Sequence, residues 1–236
     1  WRQWLDNRHL ATIKSSISDA GLTVVSTCRG GFFPSTSTQK RQEAIDDNKL
    51  AIDEAEAIGA PLVVLVCGAD PGQSLDDSRK QIQDGIESCL EHAKAANVKL
   101  AIEPLHPMYA GDRSAINTMQ QANEMSEAIN SPFVGVAVDV YHLWWDPDLE
   151  QQIKRCGEND NLLAFHICDW RNPTIDMLND RGLMGEGCIN VKQIRGWIEE
   201  TGFDGFNEVE IFSNRWWEAD QEEFLEAIKK GYLEHS

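Results

Sequence analysis

The sequence predicts an α/β protein whose parallel strands curl into a (β/α)8 barrel, and three features predict it. Short apolar runs rich in β-branched residues alternate strictly with longer stretches of helical periodicity, the pattern of right-handed strand–helix–strand crossovers. No linker-like stretch divides the chain. Four of the apolar runs end on a side chain able to hold a cation, at the strand end where barrel enzymes place their chemistry.

Taken in order, residues 5–20 carry Leu10, Ile13 and Ile17 at helical spacing. Gly21 stops that helix as a residue free to take positive φ. Residues 22–28 read as a strand opening into the loop Arg29-Gly30-Gly31-Phe32-Phe33-Pro34. A helix over 38–58 turns Ile45, Ile52 and Ala55 to the core and ends at Gly59. The run 61–67 reads as a strand covered on both faces, followed by a loop at 68–72 and a helix over 75–96. The strand 99–103 ends at Glu103, is followed by Pro104 and Pro107, and leads to a helix over 118–129. A strand from Val134 leads to a helix over 149–156. A strand from Leu162 passes through a long loop to a helix over 191–200, and a strand from Gly205 leads to a final helix over 221–232.

That makes six strands, where a closed barrel has eight in about 250 residues. The expectation is one domain over 1–236, N-terminally incomplete, with strand 1, helix 1 and most of strand 2 outside this sequence. An open doubly wound sheet is the alternative, but no GxGxxG turn marks a nucleotide site at its switch point.

Composition narrows the function. The net charge of −18, from 39 acidic and 21 basic residues, disfavours nucleic acid, which needs many Lys and Arg contacts to phosphate. No apolar run approaches the roughly 20 residues that span a bilayer. The six cysteines show no CxxC spacing and read as reduced thiols, so the expected location is the cytoplasm.

The four strand ends are Glu103, Asp139, His166 and Glu210. Side chains alternate along a strand, so Ala101 shares a face with Glu103, Gly135 and Ala137 with Asp139, and Leu162 and Ala164 with His166. Small residues inward and bulky ones outward suit a barrel interior. Three carboxylates and an imidazole suit Mn²⁺, Mg²⁺ or Co²⁺, with Zn²⁺ also compatible. Taken singly, each acid could be half of a buried ion pair; four such pairs would need four matching partners, and basic residues at the other strand ends are scarce. Glu208 shares a face with Glu210 and is expected one layer deeper.

Other polar residues follow the strand ends. His142, three after Asp139, should face the pocket; His106 and Asp169 are further substrate-binding candidates, with Asp169 also readable as a loop cap. Arg113 reads equally as a substrate contact or a surface ion pair. Trp144, Trp145, Trp170, Trp216 and Trp217 suggest an aromatic wall, a lid or a subunit contact. Cys67 and Cys168 read as core fillers, and Gly30-Gly31 as a simple turn.

The segments Ile102-Glu103-Pro104, Val138-Asp139-Val140-Tyr141-His142, Phe165-His166-Ile167-Cys168-Asp169, Gly185-Glu186-Gly187 and Glu208-Val209-Glu210 together resemble the sugar phosphate isomerase/epimerase family with the xylose-isomerase-like barrel. That family includes ketose 3-epimerases, hydroxypyruvate isomerase and inosose dehydratase, and the resemblance covers nearly the whole chain. It implies one divalent metal, Mn²⁺ by preference, on Glu103, Asp139, His166 and Glu210. It implies that Glu103 and Glu210 act as an acid/base pair and that His142 contacts substrate. An arginine beyond the metal-binding histidine is implied to do so too; Arg171 is the nearest match by position, and Arg181 competes for the role.

The implied activity is metal-dependent sugar isomerisation or epimerisation through an enediolate. The same ligands would serve a dehydratase or lyase acting on a keto-sugar or keto-inositol. An abasic-site endonuclease of the same superfamily would need more histidine ligands and a basic groove, and a non-catalytic subunit would not need the acid/base glutamates. The expected partner is a small-molecule sugar or sugar derivative, with no nucleic acid and no membrane. The tryptophan-rich loops make a homodimer or homotetramer the expected assembly.

Overall fold

Most helices of the alternating pattern begin or end where a side chain satisfies the backbone groups a helix leaves open. Ser37, Ser74 and Thr118 accept from the backbone N–H groups of Lys40, Asp77 and Gln121, and Asp220 from those of Glu222 and Glu223. Gly59, Asn97 and Asn130 close three helices in the left-handed region. The structure, a computed structural model, describes residues 1–5 and 9–236.

The resulting order is α1 (Leu10–Asp19), β1 (Thr27–Gly31), α2 (Thr38–Ile58), β2 (Leu62–Val66), α3 (Leu75–Ala96), β3 (Lys99–Glu103), α4 (Met119–Ile129), β4 (Val134–Asp139) and a short α5 (Val140–Leu143). There follow α6 (Leu149–Glu158), β5 (Leu162–Ile167), β6 (Asp169–Trp170), β7 (Arg181–Gly182), α7 (Val191–Glu200), β8 (Asn207–Val209), α8 (Asn214–Glu218) and α9 (Gln221–His235). The expected first helix is met from Leu10 onward; residues 6–8 of that expectation lie outside the described residues.

The fold is the α/β barrel type the alternation implies. Its six long-range strands form one curled parallel sheet in the order β1-β2-β3-β4-β5-β8, and β6 with β7 forms a separate antiparallel ribbon. Ser26 Oγ donates to Glu208 Oε2 at 2.6 Å, linking the approach to β1 with β8. Leu62, Val64, Ala101, Ala137 and Ala164 pack together inside the curl. Val63, Leu65, Leu100, Ile102, Val136, Val138, Phe165 and Ile167 join the larger core under the helices. No helix among the described residues is long and apolar enough to cross a membrane.

Two local expectations are corrected. The first strand is Thr27–Gly31 and not 22–28, because its partner on β2 begins only opposite Thr27. Gly30 and Gly31 are therefore strand, not turn. Gly31 has φ +105, and a Cβ there would collide with the Val66 carbonyl, so the pair permits close backbone approach. Buried Asn48 of α2 fastens this point, accepting from Gly31 N–H at 2.7 Å and donating to Gly31 O at 2.8 Å. The second correction concerns β5. Its register against β4 slips beside Val136 and Ala137, so Leu163 packs with the interior group and Leu162 with the outer core. From Ala164 onward the expected parity holds.

Asn48→Ala leaves two buried Gly31 groups without partners and is expected to lower unfolding stability by about 2–4 kcal/mol. Urea denaturation of the wild type and variant checks this; a midpoint unchanged within error would show that the Asn48 clasp contributes nothing.

Candidate metal centre and cavity

The parity that fills the barrel with alanines also delivers its ligands. Glu103, Asp139 and His166 each stand two residues beyond Ala101, Ala137 and Ala164, one step up the same inward face. Asp139 and His166 are direct cross-strand neighbours. Glu210 lies just past β8, where its N–H donates to the Ile167 carbonyl at 3.1 Å and sets it beside them. One donor atom from each of the four can be chosen so that all lie within 4.8 Å of one another. Three hard carboxylate oxygens and an imidazole nitrogen at that spacing fit a single divalent cation. Glu208 pairs in register with His166 rather than lying a layer below it; its carboxylate takes the Ser26 hydroxyl and stays outside the four.

Glu103, Asp139 and His166 are buried, and the hydrogen bonds around them are specific. Asp139 Oδ1 accepts from Tyr141 N–H at 2.8 Å. Arg181 Nη1 donates to Asp139 Oδ2 and to Glu210 Oε2, both at 2.9 Å. His166 Nδ1 lies 3.0 Å from Glu103 Oε1. Arg181 Nη2 meets His142 Nε2 at 3.2 Å. Because a guanidinium only donates, His142 Nε2 is the acceptor and the ring proton sits on Nδ1, a buried atom without a partner among the described residues.

The charges respond accordingly. Burial disfavours charge on Asp139, but Arg181 and His166, with the hydrogen bond from Tyr141 N–H, outweigh it and hold the carboxyl down to about 2. Burial pushes Glu210 up to about 7 against the pull of Arg181 and His166. For His166 burial opposes the imidazolium, yet the Glu103 hydrogen bond and the charges of Glu210, Glu103 and Asp139 raise it to about 10. Burial takes His142 down to about 3, so its approach to Asp139 at 3.7 Å is the contact of a neutral ring and not an ion pair.

A cavity of about 430 Å³ opens above the cluster, lined by Glu103, Glu210, His142 and Arg181 and walled by aromatic rings and further arginines. Of the residues singled out in the sequence, the structure brings together the four candidate ligands and His142. His106 is not among the residues that line the cavity; its Nδ1 accepts from Met108 N–H and its ring lies against Trp145 and Trp170. Asp169 accepts from the N–H groups of Trp170, Gly185, Gly187 and Ile189, which makes the Gly185-Glu186-Gly187 turn its cradle. Arg171 pairs with Asp180, and Arg181 enters the cluster in its place. Among the tryptophans, Trp217 lines the cavity, joined by Trp1 and Trp4, which carried no signal in the sequence. Arg29 and Cys28 were likewise missed; inward parity along Thr27–Gly31 would have found Cys28.

A protein-family model described as the xylose isomerase-like TIM barrel matches residues 2–231. An inosose isomerase of Halalkalibacterium halodurans is 24% identical over 207 residues, covering 86% of this chain and 71% of that protein. The L-ribulose-5-phosphate 3-epimerase UlaE of Salmonella paratyphi A is 23% identical over 217 residues, covering 89% of this chain and 72% of its own. The crystal structure of protein SMc04130 from Sinorhizobium meliloti 1021 superposes with a TM-score of 0.95 at 49% identity, covering 99% of this chain and 86% of that one.

Loading a cation onto these four residues takes a proton from His166, held up to about 10, and below about 7 from Glu210 as well. Affinity for Mn²⁺ is therefore expected to rise with pH between 6 and 8, by close to tenfold per unit and more steeply at the acid end. Competition calorimetry at several pH values checks the sign, and a pH-independent affinity would contradict it.

Proposed function

Because this chain belongs to the xylose isomerase-like TIM-barrel family, we propose that it is a divalent-metal-dependent isomerase or epimerase of a sugar or sugar derivative. The observation that carries the reading is the convergence of Glu103, Asp139, His166 and Glu210 within 4.8 Å, beside an open cavity that Glu103 and Glu210 line. The two relatives named above act, by their names, on an inosose and on a ribulose phosphate, both polyhydroxylated ketones.

Glu103, Asp139, His166 and Glu210 would hold the cation, with Mn²⁺ expected to serve best. When bound, the ion supplies Lewis acidity to a ketone oxygen and an adjacent hydroxyl, which acidifies the neighbouring C–H.

In sheet order the four ligands come from β3, β4, β5 and β8, so Glu103 and Glu210 are the outer pair with Asp139 and His166 between them. A carboxylate that gives one oxygen to a cation keeps the other for a proton. With a cation held there, one glutamate of this outer pair would be placed to take a proton from the substrate carbon and the other to return one. Return to the same carbon from the far side epimerises it; return to the adjacent carbon isomerises the sugar. His142 is held neutral by burial, with its Nδ1–H buried and without a partner among the described residues. Its Nε2 is occupied by Arg181, which fixes the ring and its tautomer.

Incubation with candidate ketoses in D₂O, followed by NMR, is expected to show solvent deuterium entering one carbon with the product formula unchanged. Loss of water from the product would instead assign a dehydratase on the same ligands. Glu103→Gln and Glu210→Gln are each expected to cut exchange by about 10²–10⁴-fold. Exchange at wild-type rate in either variant would remove that glutamate from the reaction.

A further inference from the structure

The cavity wall carries positive charge that the metal-cluster reading does not use. The chain has 39 acidic residues against 21 basic ones, yet three arginines line this cavity, Arg29, Arg113 and Arg181. The acids in the lining are Glu103 and Glu210, both candidate ligands. Arg181 is accounted for by Asp139 and Glu210. Arg29 and Arg113 are not.

Seven arginines of the described chain pair with a carboxylate: Arg2, Arg79, Arg155, Arg171, Arg181, Arg195 and Arg215. Among the described residues no carboxylate lies within 4 Å of the guanidinium of Arg29 or Arg113, and neither side chain donates a hydrogen bond. The surface ion pair that the sequence allowed for Arg113 is not formed among the described residues. Each guanidinium instead lies over a ring, Arg29 at 4.5 Å from the centre of Phe32 and Arg113 at 5.4 Å from that of Tyr109. Such stacking fixes the plane of the group and leaves its N–H edge free for a planar or tetrahedral anion.

Position separates the pair from the cluster. Arg29 is the residue displaced from register where β1 slips between Cys28 and Gly30. Arg113 belongs to the loop after β3, and its carbonyl accepts from Gly68 N–H at 2.8 Å, which draws that loop across the end of β2. The two arginines thus flank β2, while the four ligands come from β3 onward. Both are half-buried, and they are near enough that, after burial itself, Arg113 contributes with Arg2 to lowering the pKa of Arg29. Two like charges held together in an acidic protein, facing one cavity, are stabilised by a bound anion.

We propose that Arg29 and Arg113 form a subsite for an anionic group of the substrate, a phosphate monoester or a carboxylate carried at the end of the sugar remote from its ketone. This rests on the reading of the cluster as a sugar site, and it narrows the substrate class from sugars in general to charged ones.

The test uses matched pairs on the Mn²⁺-loaded protein: ribulose 5-phosphate against ribulose, and fructuronate against fructose, with dissociation constants from calorimetry. The charged member of at least one pair is expected to bind about tenfold more tightly than its neutral partner, and the pair that responds identifies the anion. In the double variant Arg29→Met, Arg113→Met that ratio should fall to within about twofold of one, whatever happens to the neutral sugar. Ratios near one in the wild type, or a preference that survives the double substitution, would overturn the subsite. Deuterium exchange in the same samples is scored separately. A charge preference without exchange keeps the subsite and sinks the isomerase reading; exchange of neutral sugars without a charge preference does the reverse.

Discussion

The contact on which the cavity floor depends is the guanidinium of Arg181 laid between Asp139 and Glu210 at 2.9 Å to each. Three carboxylates drawn together out of water cost several kcal/mol each unless paired. Arg181 and the imidazolium of His166 supply the two nearby positive charges. The segment between β5 and α7 is built to hold that guanidinium in place. Its backbone N–H donates to the Phe212 carbonyl at 2.8 Å, and its charge lies 4.3 Å over the Tyr141 ring and 5.1 Å over Phe212. At the base of the ribbon Asp169 gathers four backbone N–H groups, which fixes where β6 leaves the sheet. An acid that reads in the sequence as a site residue is in this fold an anchor for one.

The barrel was legible because it depends on local pattern. Alternation along three strands shows which residues face inward, and Ala101, Ala137 and Ala164 mark that face without any tertiary knowledge. Three ligands then follow by counting two residues on. Counting failed where the ladder is irregular. At β5 the slip against Val136 and Ala137 reverses Leu162 and Leu163, a change that depends on the partner strand and is invisible in either sequence alone. At β1 the reading failed because a Gly-Gly pair suits a turn and a close approach equally. Only the Val66 carbonyl and Asn48 decide between them.

The choice between Arg171 and Arg181 shows the same limit at the site. Proximity to His166 favours Arg171. The ribbon pairs Trp170 with Arg181, and cross-strand partners share a face. That face meets Tyr141, which stacks on Trp170 at 4.6 Å and underlies Arg181. Neighbours along each strand point the other way, which is where Arg171 finds Asp180. Once the ribbon is known the assignment follows from parity, but a ribbon of two residues per strand joined by a ten-residue loop has no periodicity to announce it.

What the cavity asks of a ligand can be read from its hydrogen-bonding sense. Arg29 and Arg113 offer only donors, and the Nδ1–H of His142 and the Nε–H of Arg181 are buried without partners among the described residues. The strong acceptors in the lining are Glu103 and Glu210, the two groups that could also bind a cation. A hydrocarbon or cationic ligand would leave these donors unpaired in a partly desolvated space, and each such loss costs about 1–3 kcal/mol. A molecule with acceptor oxygens at every carbon satisfies them in turn. On the proposed function, the floor would take a ketone with an adjacent hydroxyl and the wall the oxygen-rich remainder of the sugar. Both follow from one arrangement: acids collected at the ends of β3, β4 and β8, with bases spread around them.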